Sequence, residues 1–155
     1  MKSTRKTKVL GISSGGGHWI QLLRLRPAFA DCDLTLVTVR HCYRSDIGND
    51  AIKFRVISDA NRTNQLGLVR TAFSVFWVLL LERPDVVIST GAAPGYFAMR
   101  VGKLLGAKTI WVDSIANVDE LSLSGQQAGK YADLWLTQWP HLAGNPAPVF
   151  RGNVL

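Results

Sequence analysis

Cysteine is scarce. The 155 residues hold two, Cys32 and Cys42, with no C-x-x-C pair and no thiolate metal spacing. That excludes a disulfide scaffold and a zinc ribbon, and fits two free thiols in a reducing cytosol. No metal site is expected. Acid is also in short supply: 11 Asp and Glu stand against 18 Lys and Arg, for a formal net charge of +7. Such a balance favours anionic partners, whether phosphates, nucleic acid or an acidic membrane surface. There is no compact Lys/Arg stripe with interleaved aromatics, which argues against nucleic acid. The surplus sits in the head "MKSTRKTK" and in scattered Arg24, Arg26, Arg40, Arg44, Arg62 and Arg70. A secretory leader is not expected either, because the basic head runs through Val9 and Leu10 straight into Gly11 and two serines. The longest apolar stretch, Leu66 to Leu81, is broken by Gly67, Arg70, Thr71 and Ser74. It falls short of the roughly 20 apolar residues of a membrane span, so a soluble or peripheral protein is expected.

What is present is an alternation. Strands are predicted at 8–13, 33–40, 53–58, 84–90, 108–114 and 132–139, with a further short strand in the tail at 147–155. Helices are predicted at 17–29, 63–82 and 94–105, with a short one after 114, and a polar loop covers 41–50. The all-apolar, β-branched centre of "PDVVIST" suggests a strand buried on both faces, as in a parallel sheet. The fold class is therefore α/β, a Rossmann-like doubly wound parallel sheet. It is read as one domain over 9–155 behind a flexible basic head, 1–8. Ligands of such sheets bind beyond the carboxyl ends of the strands, which marks loops 13–18, 40–50, 89–95 and 113–125.

The first of these reads "SSGGGHW". Three glycines let backbone N–H groups approach an anion with no Cβ between, and the helix that starts there adds its positive end. Phosphate or pyrophosphate is the natural guest, and a merely tight turn is the plain alternative. The dinucleotide fingerprint is not met, and no Asp or Glu ends the second strand. Arg40 stands there instead, which leaves an NADP-binding oxidoreductase domain as a weak alternative. A P-loop would need Lys and Ser/Thr where His18 and Trp19 stand. "GISSG" matches a nucleophile elbow at Ser13, with Asp113 and His141 following in the right order. On the first strand, however, no upstream loop supplies a second oxyanion donor. His18 is the side chain here able to move a proton near neutral pH, or it is a capping or packing residue.

The second half adds "STGAAPGYF" (89–97), "DS…SLSG" (113–125) and "QWP" (138–140). Together with the glycine loop ending in His18, these segments resemble a known family. It is the membrane-associated subunit of the split N-acetylglucosaminyltransferase that adds the second sugar to dolichyl-pyrophosphate-linked N-acetylglucosamine, with its bacterial capsule and exopolysaccharide relatives. More distantly the chain is similar to the N-terminal half of the enzyme that forms lipid II. The resemblance runs from about Val9 to Leu155. Asp113 stands where the family pattern usually has Glu.

The resemblance implies the N-terminal, acceptor-side half of a GT-B glycosyltransferase. It would work with a separate partner that binds the UDP-sugar, need no cofactor, and be inactive or nearly so alone. The acceptor would be a polyprenyl-pyrophosphate-linked saccharide, met at the cytoplasmic face of a membrane by a peripheral protein. It further implies His18 as the base and Asp113 as a second base or a group that orients His18. Ser14, Gly15, Gly16, Gly17, Thr90, Gly91 and Gly95 would cradle the pyrophosphate, Ser114 and Asn117 would line the acceptor loop, and Gln138, Trp139 and Pro140 would meet the partner. A non-catalytic scaffold that recruits and activates that partner is the alternative. Helix 63–82, apolar nearly all round, is read first as a core helix on the sheet, with a lipid-facing side beside Arg62, Arg70 and Arg83 as the alternative.

Overall fold

A computed structural model describes residues 5–48, 51–59 and 64–154; Arg62 lies outside them. Seven parallel strands form one sheet in the order β3-β2-β1-β4-β5-β6-β7. They are β1 (Lys8–Ile12), β2 (Asp33–Thr38), β3 (Lys53–Val56), β4 (Val86–Ser89), β5 (Lys108–Val112), β6 (Leu134–Thr137) and β7 (Val149–Phe150). The connecting helices are α1 (Gly17–Arg24), α2 (Arg44–Ile47), α3 (Gln65–Glu82), α4 (Ala92–Leu104) and α5 (Leu123–Ala128). The chain winds outward from β1 through β2 to β3, then returns and winds the other way from β4. β1 and β4 are neighbours, with Ile12 in register with Ser89. The order of winding therefore reverses between them, and this is where an open α/β sheet forms its crevice.

Alternation along the strands explains why both faces are covered. Leu10, Ile12, Val37, Val87 and Trp111 face one layer, where Val75 and Leu79 of α3 and Ala98 and Met99 of α4 close the core. Val9, Leu36, Ile88 and Val112 face the other, against Trp19 and Leu22 of α1. Gly11 belongs to that second layer: a Cβ there would meet Leu22 and Leu36 at 3.0 and 3.1 Å, so the missing side chain lets α1 lie close on β1.

Three sequence expectations change. Helix 17–29 ends as an α-helix at Arg24 and continues as a 3-10 turn over Arg26–Phe29, because Pro27 cannot supply an N–H to the ladder. The polar loop 41–50 contains a 3-10 turn and the short α2. Of the basic head, Lys8 opens β1 and Arg5 pairs with Asp85 at 2.8 Å, so these residues belong to the fold.

The fourth change is the largest. α3 is not a core helix all round. Thr71, Val75 and Leu79 are buried, but Leu66, Val69, Phe73, Trp77 and Leu81 are 52–79% exposed. Steps of three and four residues place these five on one stripe along the whole helix, about 27 Å at 1.5 Å per residue. By length and composition α3 is long and apolar enough to cross a membrane. Its inner face is nonetheless committed to the domain: Thr71 Oγ1 donates to the Ser58 carbonyl, and Glu82 accepts from Arg55.

Candidate functional site

The loops after β1 and β4 meet at the reversal point, and His18 joins them. Its Nδ1 lies 2.8 Å from the carbonyl oxygen of Thr90. A carbonyl only accepts, so Nδ1 carries the proton and, in the neutral ring, Nε2 carries the lone pair. Thr90 returns the contact, its hydroxyl donating to the His18 carbonyl at 2.7 Å. Gly91 makes this approach possible. Its φ is +139°, and a Cβ there would stand 2.5 Å from the imidazole. The next residue, Ala92, holds φ at +66°, a left-handed conformation unfavourable for any residue with a Cβ. The helices α1 and α4 begin at Gly17 and Ala92 behind glycine N-caps, Gly16 and Gly91, which have no side chain to cap the first turn; the N–H groups of the two caps donate to Tyr43 Oη and Ser89 Oγ. Two positive helix ends therefore meet at the reversal point, where an open α/β sheet has its crevice, with the half-exposed His18 beside them.

Sequence reading expected a wider ring of ligand-binding groups than the crevice has. Ser14, Gly15, Gly16 and Gly17 do lie at its first edge, and Gly16 and Gly17 are exposed. The Gly16 N–H, however, already donates to the Tyr43 hydroxyl at 2.9 Å. Thr90 is fully buried and its hydroxyl is engaged by His18, so it positions the ring rather than lining the cleft. Gly95 sits in the first turn of α4, buried against Ser89 and Trp111, where any Cβ would collide with Ser89 Oγ. Its role is close helix–sheet packing, and it is removed from the anion cradle.

Asp113 is corrected most. It is 1% exposed, and its carboxylate accepts from Trp111 Nε1, Ser114 N, Asn117 Nδ2, Ser122 N and Ser122 Oγ at 2.7–3.3 Å. It makes no contact with His18, whose orienting partner is the Thr90 carbonyl. Ser122 caps α5 by accepting from Gly125 N, and Gly125 is required because a Cβ would strike the Asp113 carboxylate. The "DS…SLSG" segment is thus a buried knot that shapes loop 113–122. Ser114 and Asn117 are parts of it: Ser114 Oγ accepts from Gln21, and the Asn117 amide is spent on Asp113.

Gln138 is 2% exposed and cannot face a partner. Its amide nitrogen donates to Gln21 Oε1 at 2.7 Å and to the Asp113 carbonyl at 2.9 Å, and its oxygen accepts from Val154 N. Trp139 is half-buried, its indole donating to the Ile115 carbonyl, and Pro140 is exposed. Sequence reading missed Gln21. It is 4% exposed and bonded to Ser114, Ile115 and Gln138, tying the helix of His18 to the loop after β5. The available signal was a polar residue one turn after His18 on the apolar face of α1. Tyr43 carries no such signal: it stands in a polar loop, and its bond to the Gly16 N–H spans 27 positions of chain.

Comparison with known proteins fits this geometry. Residues 50–153 match the family described as "Oligosaccharide biosynthesis protein Alg14 like". The UDP-N-acetylglucosamine transferase subunit alg14 of Schizosaccharomyces pombe is 36% identical over 90 residues, 47% of this chain and 42% of that protein. The Eremothecium gossypii subunit ALG14 is 27% identical over 83% of this chain and 70% of its own length. The mouse subunit is 32% identical over 61% of this chain and 48% of its own. The chain thus spans about half the length of two of these relatives. Among solved structures, Acinetobacter baumannii MurG superposes with a TM-score of 0.73 at 15% identity, over 93% of this chain and 45% of MurG. A UDP-GlcNAc 2-epimerase of Methanocaldococcus jannaschii gives 0.68 at 15%, over 84% of this chain and 39% of that one. These likenesses give the fold, one Rossmann-like half of the GT-B architecture, and the family match gives the membership: the chain belongs to the Alg14-like family of oligosaccharide biosynthesis proteins.

Proposed function

We propose that this chain is the acceptor-side subunit of a two-part GT-B glycosyltransferase. It presents a polyprenyl-pyrophosphate-linked saccharide to a UDP-sugar held by a separate partner, and the sugar moved is N-acetylglucosamine or another hexose. The observation that carries this reading is the His18–Thr90 lock at the strand reversal. It leaves Nε2 as the proton acceptor beside two glycine-capped helix ends. In the proposed step Nε2 takes the proton of the acceptor hydroxyl as that oxygen attacks the anomeric carbon, and UDP departs on the partner's side. Base catalysis of this kind is worth about 10²–10⁴-fold. The helix ends would hold the acceptor's diphosphate by their N–H groups and positive dipoles.

The α3 stripe supports a membrane role. A helix whose inner face is packed on a sheet lies on a bilayer rather than across it. Arg70, Arg83 and the net charge of +7 would favour acidic headgroups on the cytoplasmic face. Trp139, Pro140, His141 and Val118 supply the partner surface in this reading. Trp139 and His141 are held against the 115–118 loop, since His141 Nε2 donates to the Val118 carbonyl and Trp139 to that of Ile115.

The test is reconstitution of sugar transfer with the donor-binding partner recovered by pull-down. Transfer is expected to need both chains and to fall at least a hundredfold in His18→Ala, with KM for the UDP-sugar unchanged. Transfer surviving His18→Ala within a few-fold would instead support a scaffold that only recruits the partner.

A further inference from the structure

We infer that Tyr43, on the loop after β2, is the hydroxyl donor that meets the acceptor's diphosphate at the glycine loop. The inference rests on the reading of this crevice as a lipid-diphosphate site. A glycine cradle ordinarily offers its backbone N–H groups to the anion directly. Here the Gly16 N–H is spent on Tyr43 Oη at 2.9 Å, and a Cβ on Gly15 would also lie 2.9 Å from that oxygen. The phenol therefore sits over the Gly15–Gly16 backbone. In this bond the phenol oxygen accepts, so its own proton remains to be given. The hydroxyl donates to nothing among the described residues. A donor bonded to the oxygen polarises the O–H and strengthens it as a donor in turn.

The hydroxyl is also held in place. The Tyr43 ring stacks on Trp19 with centroids 5.3 Å apart and planes 18° apart. Trp19 is 1% exposed, and its Nε1 donates to Asp46 on the same loop at 2.8 Å. Ile47 is buried, and its carbonyl accepts from Arg26. The loop is thus fastened to α1 at Trp19 and to the following 3-10 turn at Arg26, and this preorganisation lowers the cost of ordering it when a ligand arrives. Exposed Arg40, His41 and Arg44 flank Tyr43 in the chain. The nearby acid, Asp46, is turned toward Trp19. The balance of charge along this edge suits an anion.

The experiment is a titration of the full chain with inorganic pyrophosphate, followed through the amide NMR signals of Gly15, Gly17 and His18. Tyr43→Phe keeps the ring on Trp19 and removes the O–H. Its Kd should be weaker by about tenfold, the scale of one hydrogen bond to a charged group. In the reconstituted enzyme KM for the lipid-linked acceptor should rise similarly, while KM for the UDP-sugar stays put. Equal or tighter pyrophosphate binding by Tyr43→Phe would overturn the inference alone: the hydroxyl would then be a plug whose removal frees the Gly16 N–H. No pyrophosphate response at these amides in the wild type would overturn the site reading and the inference together. Should Tyr43→Phe not fold, 3-fluorotyrosine at position 43 of the wild-type chain gives the same decision. Its fluorine signal should saturate together with the Gly17 amide, and an unmoved signal overturns the inference.

Discussion

At the scale of residues the crevice depends on a pair that hold each other by reciprocal bonds, His18 and Thr90, and on a glycine that leaves room for them. Gly91→Ala should therefore behave almost like loss of His18. The new Cβ would press on the ring at 2.5 Å, and φ of +139° is unfavourable to any side chain. A fall in reconstituted transfer of a hundredfold or more is expected, with a stability cost of about 1–3 kcal/mol read by chemical denaturation. Activity within a few-fold of wild type would show that the ring's placement is immaterial. Asp113→Ala makes the opposite kind of change. Removing a buried carboxylate strands five donors, and roughly 3 kcal/mol or more should be lost, a fall of about 10 °C in Tm for a chain of this size. Of these residues, the place of His18 and its glycine loop was legible, because a run of small residues between an apolar strand and a helical period marks a strand-to-helix turn. The burial of Asp113 was not legible. Its partners Trp111, Asn117 and Ser122 lie two to nine positions away, and nothing in such spacing distinguishes a hydrogen-bond knot from a catalytic acid.

The elements tell a similar story about what a periodic pattern can carry. Strand alternation and proline breaks were enough to place β1 to β6 in the chain, since each rests on local geometry. The environment of α3 was not readable, because a helix apolar on every side looks the same whether its outer face meets protein, lipid or water. That face is testable. Phe73→Ser with Trp77→Ser changes residues that are 68% and 52% exposed, so the fold should lose no more than about 0.5 kcal/mol per site. Full burial of each ring in lipid is worth about 2 kcal/mol, so the double variant should bind acidic vesicles at least tenfold more weakly in a sedimentation assay. Unchanged binding would remove α3 from the membrane reading. The end of the same helix offers a simpler gain. Arg83 closes α3 in a left-handed conformation, φ 46° and ψ 62°, where glycine is the natural residue. Arg83→Gly should raise stability by about 1 kcal/mol. Because it also removes a cation, it should weaken vesicle binding slightly.

On the scale of the whole molecule, the two ends of the sheet do different work. The carboxyl ends of the strands carry the crevice, with its glycine-capped helices and exposed cations. The amino ends are tied down by ion pairs. Asp85 accepts from the Lys8 N–H and from Arg5, and these contacts hold its pKa below the usual carboxylate value. Asp133 is held lower, at about 2, first by the Lys103 ammonium and then by the Thr109 N–H. Both groups bind protons more weakly in the folded chain than in the unfolded one. The stability they contribute is therefore complete above the unfolded carboxylate pKa of about 3.9 and disappears as pH falls through the folded values. Chemical denaturation between pH 5 and pH 2 checks this. Wild type should lose stability steadily across that window. Asp133→Asn should begin less stable at pH 5, lose less on acidification, and approach the wild type near pH 2. Parallel curves for the two proteins would show that Asp133 is not a source of the acid sensitivity. The crevice contains neither of these carboxylates, so the variant should leave pyrophosphate binding at neutral pH unchanged, which separates what holds the sheet together from what the sheet presents.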